Sequence, residues 1–293
     1  MGVAAAQLPP PGSLILDHVS HFVPDLAAAG RALQALGFAV TPESAQQTQD
    51  GPAGTSNICV MLADGYLEIL APMAQTPNAQ RLRASMQRYA GVHLCCFGTP
   101  DAEGEHRRLA DHGFEPLPVV ELSRLVEQNQ TARFKVVRAA PEKMPEGRIQ
   151  FVQHFTPEAI WRPQHLAHVN GVVKLACLFV VADNPVDAAA RWSHFAALLP
   201  RPAGKFVHLQ AARGHVLIGR REDWSGLLGD APAGPAIAGY ALECRDTAAL
   251  LARCEMLGLA VRQLRAGLYS VALPAALGSH WIFGTRKGLG LPT

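Results

Sequence analysis

The chain carries one structural phrase twice in its first half, and that repetition limits its fold more than any other feature. The first copy is Leu14-Ile-Leu-Asp-His-Val-Ser-His-Phe-Val-Pro-Asp-Leu26; the second is Gly91-Val-His-Leu-Cys-Cys-Phe-Gly-Thr-Pro-Asp101. Each opens with an apolar run that reads as a strand and then turns through Pro-Asp, a pair that starts a helix. The helices stop at Gly37 and Gly113, glycine just past a helix being the usual left-handed cap. Each unit closes with a strand of the form Gly-x-x-[Glu/Gln], namely Gly65-Tyr-Leu-Glu68 and Gly147-Arg-Ile-Gln150. Matching the copies on His-x-[Ser/Cys]-x-Phe makes His18 and His93 equivalent, and Glu68 and Gln150 likewise. Side chains alternate along a strand. His18, Ser20 and Phe22 are therefore expected on one face, and His93, Cys95 and Phe97 on the matching face of the second copy.

The second half repeats the outline. A strand from Leu175 leads to a helix near Pro185, and another from Ala236 leads to a helix that stops at Gly258. Gly214-His-Val-Leu217 and Gly278-Ser-His-Trp281 take the place of the closing strands, but the Glu or Gln is gone. Counting back from the helix-opening aspartates puts Ala176 or Leu175, and Gly239 or Ala238, where the first half has histidine. The expectation is an α+β chain of four βαβββ modules, paired as two cup-shaped half-barrels. Residues 1–13 read as a flexible tail, 14–164 as the domain with the candidate site, and 165–293 as a second domain without metal ligands. The boundary rests on the prolines of Phe155–His165 and on the turn signal Asn170-Gly171. The polar, Gly-containing stretch Pro42–Ser56 reads as a loop able to overhang a site.

Composition narrows the class. Hydrophobic residues make up 49% and charged residues 17% of the 293, enough for a sizeable core. A net charge of +2 argues against a dedicated nucleic-acid surface. No apolar run is long enough to span a membrane, and the N-terminus lacks the basic residues and apolar core of a secretion signal. The six cysteines form no Cys-x-x-Cys pair and sit in apolar segments, which suits reduced thiols in a cytoplasmic protein. A monomer or homodimer acting on a small molecule, with no nucleic-acid or membrane partner, is the expectation.

A single strand histidine is usually a buried ring satisfied by one hydrogen bond. Two at matched places, with Glu68 and Gln150 also matched, point to a shared site. Imidazole with carboxylate suits Zn, Ni, Fe, Mn or Co, and an incomplete ligand set leaves room for substrate. The alternative is a polar cluster left from a metal-binding ancestor. Tyr66 and Arg148 share strand faces with Glu68 and Gln150, so they line the mouth of the site or are solvated. Asn57 binds substrate or caps a turn. His21 is out of phase and faces away from the cavity, and His154, His165 and His168 read as interface packing.

Four such modules, with Leu-Asp-His-Val, Gly-Thr-Ser-Asn, Gly-Tyr-Leu-Glu and the linker Thr-Pro-Glu-x-x-Trp-Arg-Pro, resemble the glyoxalase-like domain family of the vicinal oxygen chelate superfamily. That superfamily includes glyoxalase I, extradiol dioxygenases and the bleomycin resistance proteins. The resemblance implies a cup around a divalent metal with His18, Glu68, His93 and Gln150 as ligands. It implies a lyase or isomerase that chelates a small oxygenated substrate and stabilises an enolate-like intermediate, with Glu68 as the base. Phe22, Phe97, Asn57, Tyr66 and Arg148 would contact substrate. Gln150 departs from the glutamate usual in glyoxalases, an amide being a weaker ligand and a poor base. An Fe(II) extradiol dioxygenase and a non-catalytic small-ligand binding protein remain the alternatives.

Overall fold

Asp25 and Asp101 cap the helices that follow them: their carboxylates accept from the amides of Ala28 and Gly104, each at 2.9 Å. The computed structural model describes residues 4–291. The first unit is β1 (Ile15–Phe22), α1 (Leu26–Ala35), β2 (Ser44–Thr48), β3 (Gly51–Met61) and β4 (Tyr66–Pro72). The connector α2 (Pro77–Arg88) leads to β5 (Gly91–Gly98), α3 (Ala102–Asp111), β6 (Val120–Val126), β7 (Gln130–Arg138) and β8 (Arg148–His154). The second half repeats the order as β9 (Val172–Val181), α4 (Pro185–Ala196), β10 (Pro200–Ala203), β11 (Phe206–Gln210) and β12 (His215–Gly219). After α5 (Arg221–Leu228) come β13 (Ala236–Cys244), α6 (Ala248–Met256), β14 (Val261–Arg265), β15 (Leu268–Ala272), β16 (His280–Gly284) and α7 (Arg286–Leu289). Four βαβββ modules are therefore present, as the repeat predicts.

The first two modules join into a closed barrel, β1-β4-β3-β2-β6-β7-β8-β5, sealed on one side by β2 against β6 and on the other by β1 against β5. The last two form an open eight-stranded sheet, β10-β11-β12-β9-β13-β16-β15-β14. The main core lies between barrel and sheet. It joins Leu16, Val19, Cys95 and Phe97 of the barrel to Leu175, Leu178, Tyr240 and Trp281 of the sheet. Trp224 and Leu228 of α5 and Leu289 of α7 pack with Ala176, Phe179, Ala238 and Ala241 of the sheet in a separate cluster. All six cysteines are free and buried. No helix among the described residues is long and apolar enough to cross a membrane.

The strand register corrects the sequence alignment. In the antiparallel pair β1–β5, His18 faces Cys96 and Ser20 faces Leu94, while Asp17 and His93 are the extra residues of two bulges. The closing strands agree, with Ser20 beside Glu68 and Cys96 beside Gln150. The repeat equivalents are thus Asp17 with His93, His18 with Leu94, and Ser20 with Cys96. The motif glycines give the same answer. A Cβ on Gly65 would meet the Asp17 carbonyl oxygen at 2.8 Å, and one on Gly147 the His93 carbonyl oxygen at 2.8 Å. Each glycine lets the closing strand approach the bulge.

Two further expectations change. Pro42–Ser56 is not an overhanging loop; most of it forms the β2–β3 hairpin. Gln46 and Thr48 turn toward a polar cavity, so the apolar alternation that marks a strand is missing there. Residues 5–13 are not a free tail throughout. Gln7 is fully buried, and its amide bonds the Ala63 carbonyl and the Gly65 amide.

Candidate functional site

Barrel closure turns alternate side chains inward, and those of both units enclose a cavity of about 170 Å³. From the first unit come His18, Asn57, Tyr66 and Glu68, with Gln46, Thr48 and Asp50 of the hairpin. From the second come Leu94, Arg124, Arg138, Arg148 and Gln150, with Leu122, Phe134, Val136 and Val152 as apolar wall. The two halves are equivalent in backbone but not in chemistry. The first supplies an imidazole and a carboxylate. The second places Leu94 opposite His18 in the repeat, and arginines around Gln150.

His18 sits at the centre of a buried chain. Its Nδ1 lies 2.6 Å from Asp17 Oδ1, and Nε2 of His154 lies 3.0 Å from Asp17 Oδ2. Burial alone would raise the Asp17 carboxyl, but the two imidazoles outweigh it and hold it well below the usual carboxylate range. With Asp17 ionised, Nδ1 of His18 and Nε2 of His154 are the donating atoms. His18 Nε2 lies 3.9 Å from Glu68 Oε2. The Tyr66 ring stacks on His18 at 4.3 Å and fixes its plane.

Glu68 is heavily engaged. The Ser20 hydroxyl donates to Oε2, and Asn57 Nδ2 and Gln46 Nε2 donate to Oε1 at 2.6 and 3.1 Å. Asn57 in turn accepts from Arg124 at 2.9 Å, so it bridges a guanidinium to the carboxylate. On the opposite wall Arg138 Nε donates to Gln150 Oε1 at 3.2 Å. Arg148 lies with its guanidinium carbon 5.5 Å from the Phe22 ring centre. Burial, then the like charges of Arg138 and Arg81, push Arg148 down to about 9; burial and Arg81 also lower Arg138.

Of the residues singled out in the sequence, His18, Glu68, Gln150, Asn57, Tyr66 and Arg148 meet at this cavity, with Phe22 packed under Arg148. His93 and Phe97 do not. His93 is a bulge residue whose Nε2 donates to the Tyr89 carbonyl at 2.9 Å, its ring packed on Phe22 and Tyr89. Phe97 and Cys95 face the core between barrel and sheet, where Phe97 packs on Phe151 and Trp192. The physical reason is the bulge at His93, which shifts the inward face by one residue, to Leu94 and Cys96. Arg124, Arg138 and Asp17 are not picked out by the sequence reading, and His154, expected in interface packing, instead bonds Asp17 at 3.0 Å. The available signal was an ungapped match of Pro24-Asp25 with Pro100-Asp101, which pairs His18 with Leu94 directly. His21 does face away, bonding the Leu277 carbonyl and the Tyr240 hydroxyl of the sheet.

These side chains do not fit a divalent metal centre. A catalytic site of that kind takes about three protein ligands, and Leu94 stands where the second imidazole would be. Both Glu68 oxygens already accept from side chains, and the Gln150 oxygen accepts from Arg138. Guanidinium groups on the same wall would oppose a cation. Among the described residues, no three His, Cys, Asp or Glu side chains converge as ligands.

Comparison with known proteins follows the fold. The glyoxalase-like domain family profile matches residues 16–196. No curated protein matches the chain. A hypothetical protein from Staphylococcus aureus is similar in structure, with a TM-score of 0.64 and 11% identity, over 93% of this chain and 99% of the other. A xylose isomerase-like TIM barrel/4-hydroxyphenylpyruvate dioxygenase fusion protein gives 0.62 and 13%, over 98% of this chain and 51% of the other. A 4-hydroxymandelate synthase mutant from Streptomyces coelicolor gives 0.55 and 14%, over 94% of each chain. At these identities the likeness is one of fold.

Proposed function

The chain belongs to the glyoxalase-like domain family of the vicinal oxygen chelate superfamily, and on that premise we propose that it is a lyase or isomerase acting on a small oxygenated molecule by proton transfer at His18. One observation carries the proposal: the dyad of Asp17 and His18, with Nε2 free toward a cavity that also holds Glu68 and three arginines. Family resemblance alone names Glu68 as base; the geometry favours His18. Asp17 holds the imidazole in the tautomer whose Nε2 accepts a proton, and stabilises the imidazolium once formed. Glu68, tied down by Ser20, Asn57 and Gln46, lies 3.9 Å from Nε2, where its charge supports the imidazolium. Removing a proton beside a carbonyl leaves charge on oxygen. Arg124, fixed by its hydrogen bond to Asn57, keeps a guanidinium in the lining that stabilises it. Residues 14–164 would carry the chemistry, and 165–293 would serve as a structural partner.

The test is a panel of small hydroxy- and oxo-compounds incubated with the protein in D2O and followed by proton NMR. Loss of a carbon-bound proton signal, or conversion, is expected with the wild type and not with His18→Gln. Binding without exchange or conversion would replace the enzyme by a small-ligand binding protein.

A further inference from the structure

Among the described residues, three arginines line a cavity whose only carboxylates are Glu68 and, near the mouth, the exposed Asp50. Glu68 is engaged by the first unit's own Ser20, Gln46 and Asn57, the last of which links it to Arg124. Arg138 spends one donor on the neutral Gln150. Arg148 lies against Phe22. Among the described residues, neither Arg138 nor Arg148 has a carboxylate within ion-pair distance; the cavity's own acid–base contact is His18 with Glu68, and other ion pairs lie outside it. Half-buried guanidinium groups placed side by side with no carboxylate in ion-pair contact are costly; burial and neighbouring like charges lower the proton affinity of both, and Glu68 offsets this only from a distance. Such a pair is maintained where a ligand provides the missing charge.

Building on the enzyme reading above, we infer that the substrate is a carboxylate whose anionic group is held by Arg138 and Arg148, on the wall opposite His18. The cavity settles its scale. About 170 Å³ is below the usual range for drug-sized ligands and cofactors, so the substrate is a short acid. Its carbon skeleton rests on Leu94, Val136 and Val152, and its reacting carbon faces His18 Nε2. A guanidinium fork matches a planar carboxylate in two-point fashion. Three guanidinium groups against two carboxylates leave one positive charge in the lining, which suits a monoanion better than a phosphate dianion. The halves of the barrel would then divide the work, the first moving the proton and the second holding the acid.

The experiment is calorimetric titration of the full chain with acetate, butanoate and 3-methylbutanoate, each beside its neutral amide, and with inorganic phosphate. Arg138→Met and Arg148→Met are titrated in parallel after thermal unfolding shows them folded. The expected result is that at least one acid binds tenfold or more tighter than its amide, and that either variant removes the difference. Equal binding of acids and amides, or full acid binding by both variants, overturns the proposal. So does binding of phosphate in place of the acids. Charge-independent binding with D2O exchange intact refutes the carboxylate assignment alone. Charge-selective binding without exchange leaves the assignment and refutes the enzyme.

Discussion

Replacing His93 by Phe tests the register directly, because a bulge residue and a site residue respond differently. His93 is 1% exposed, its Nε2 donates to the Tyr89 carbonyl, and its buried Nδ1 has no partner. Phe keeps the ring against Phe22 and Tyr89, loses a hydrogen bond of about 1 kcal/mol, and removes a buried acceptor whose lack of a partner costs roughly as much. At pH 7.5 the variant should therefore unfold within ~1 kcal/mol of the wild type. Acid separates the two. Burial holds His93 down to about 4 from 6.5. Between those values the unfolded chain binds a proton that the folded chain does not, so wild-type stability falls as pH falls and is fully present above 6.5. At pH 5 this term is about 2 kcal/mol. Urea unfolding at both pH values should show the variant gaining about that much relative to wild type on going from pH 7.5 to pH 5. Ligand binding and exchange should survive. A variant that loses them while folded, or whose stability follows the wild-type pH curve, would refute the register argument.

Two other outcomes follow from the same geometry. Leu94→His places an imidazole at the true equivalent of His18, but Glu68 and Gln150 stay engaged and the arginines still oppose a cation, so neither the wild type nor the variant should give a visible d–d spectrum with Co(II); such a spectrum from the wild type would contradict the assignment. Asp17→Asn leaves two buried imidazoles competing for one acceptor and should cost about 1–3 kcal/mol in urea unfolding at pH 7.5. Because the Asp17 carboxyl is held below 3.8, its contribution is complete above that value and is lost as pH falls below it. The gap between wild type and variant should therefore close in acid.

The fold was legible because its signals are local and repeated. Helix-opening aspartates, helix-ending glycines and Gly-x-x-[Glu/Gln] strands report backbone needs that residue type reveals. The candidate site was legible by half. His18, Glu68 and Gln150 stand out by residue type, but facing direction depends on strand register, and the bulges at Asp17 and His93 shift it without a mark in composition. The match of His18 with His93 hides Leu94, which the ungapped Pro24-Asp25 to Pro100-Asp101 match exposes. The arginines were hidden for another reason. A basic residue in a strand reads as solvated, and only barrel closure, which joins Arg124 of β6 to Gln46 of β2, brings it inside. The Asp17–His154 contact joins residues 137 apart in the sequence and has no local signature.

The most direct measurement is the rate of solvent deuterium incorporation into a short acid or its carbonyl derivative, followed by NMR on the wild type, the chelator-treated wild type and His18→Gln. The account predicts that exhaustive chelation leaves the rate unchanged, while His18→Gln lowers it by about 10²–10⁴-fold, the range for losing a positioned general base. A rate abolished by chelation and restored by metal, with His18→Gln still active, would contradict it.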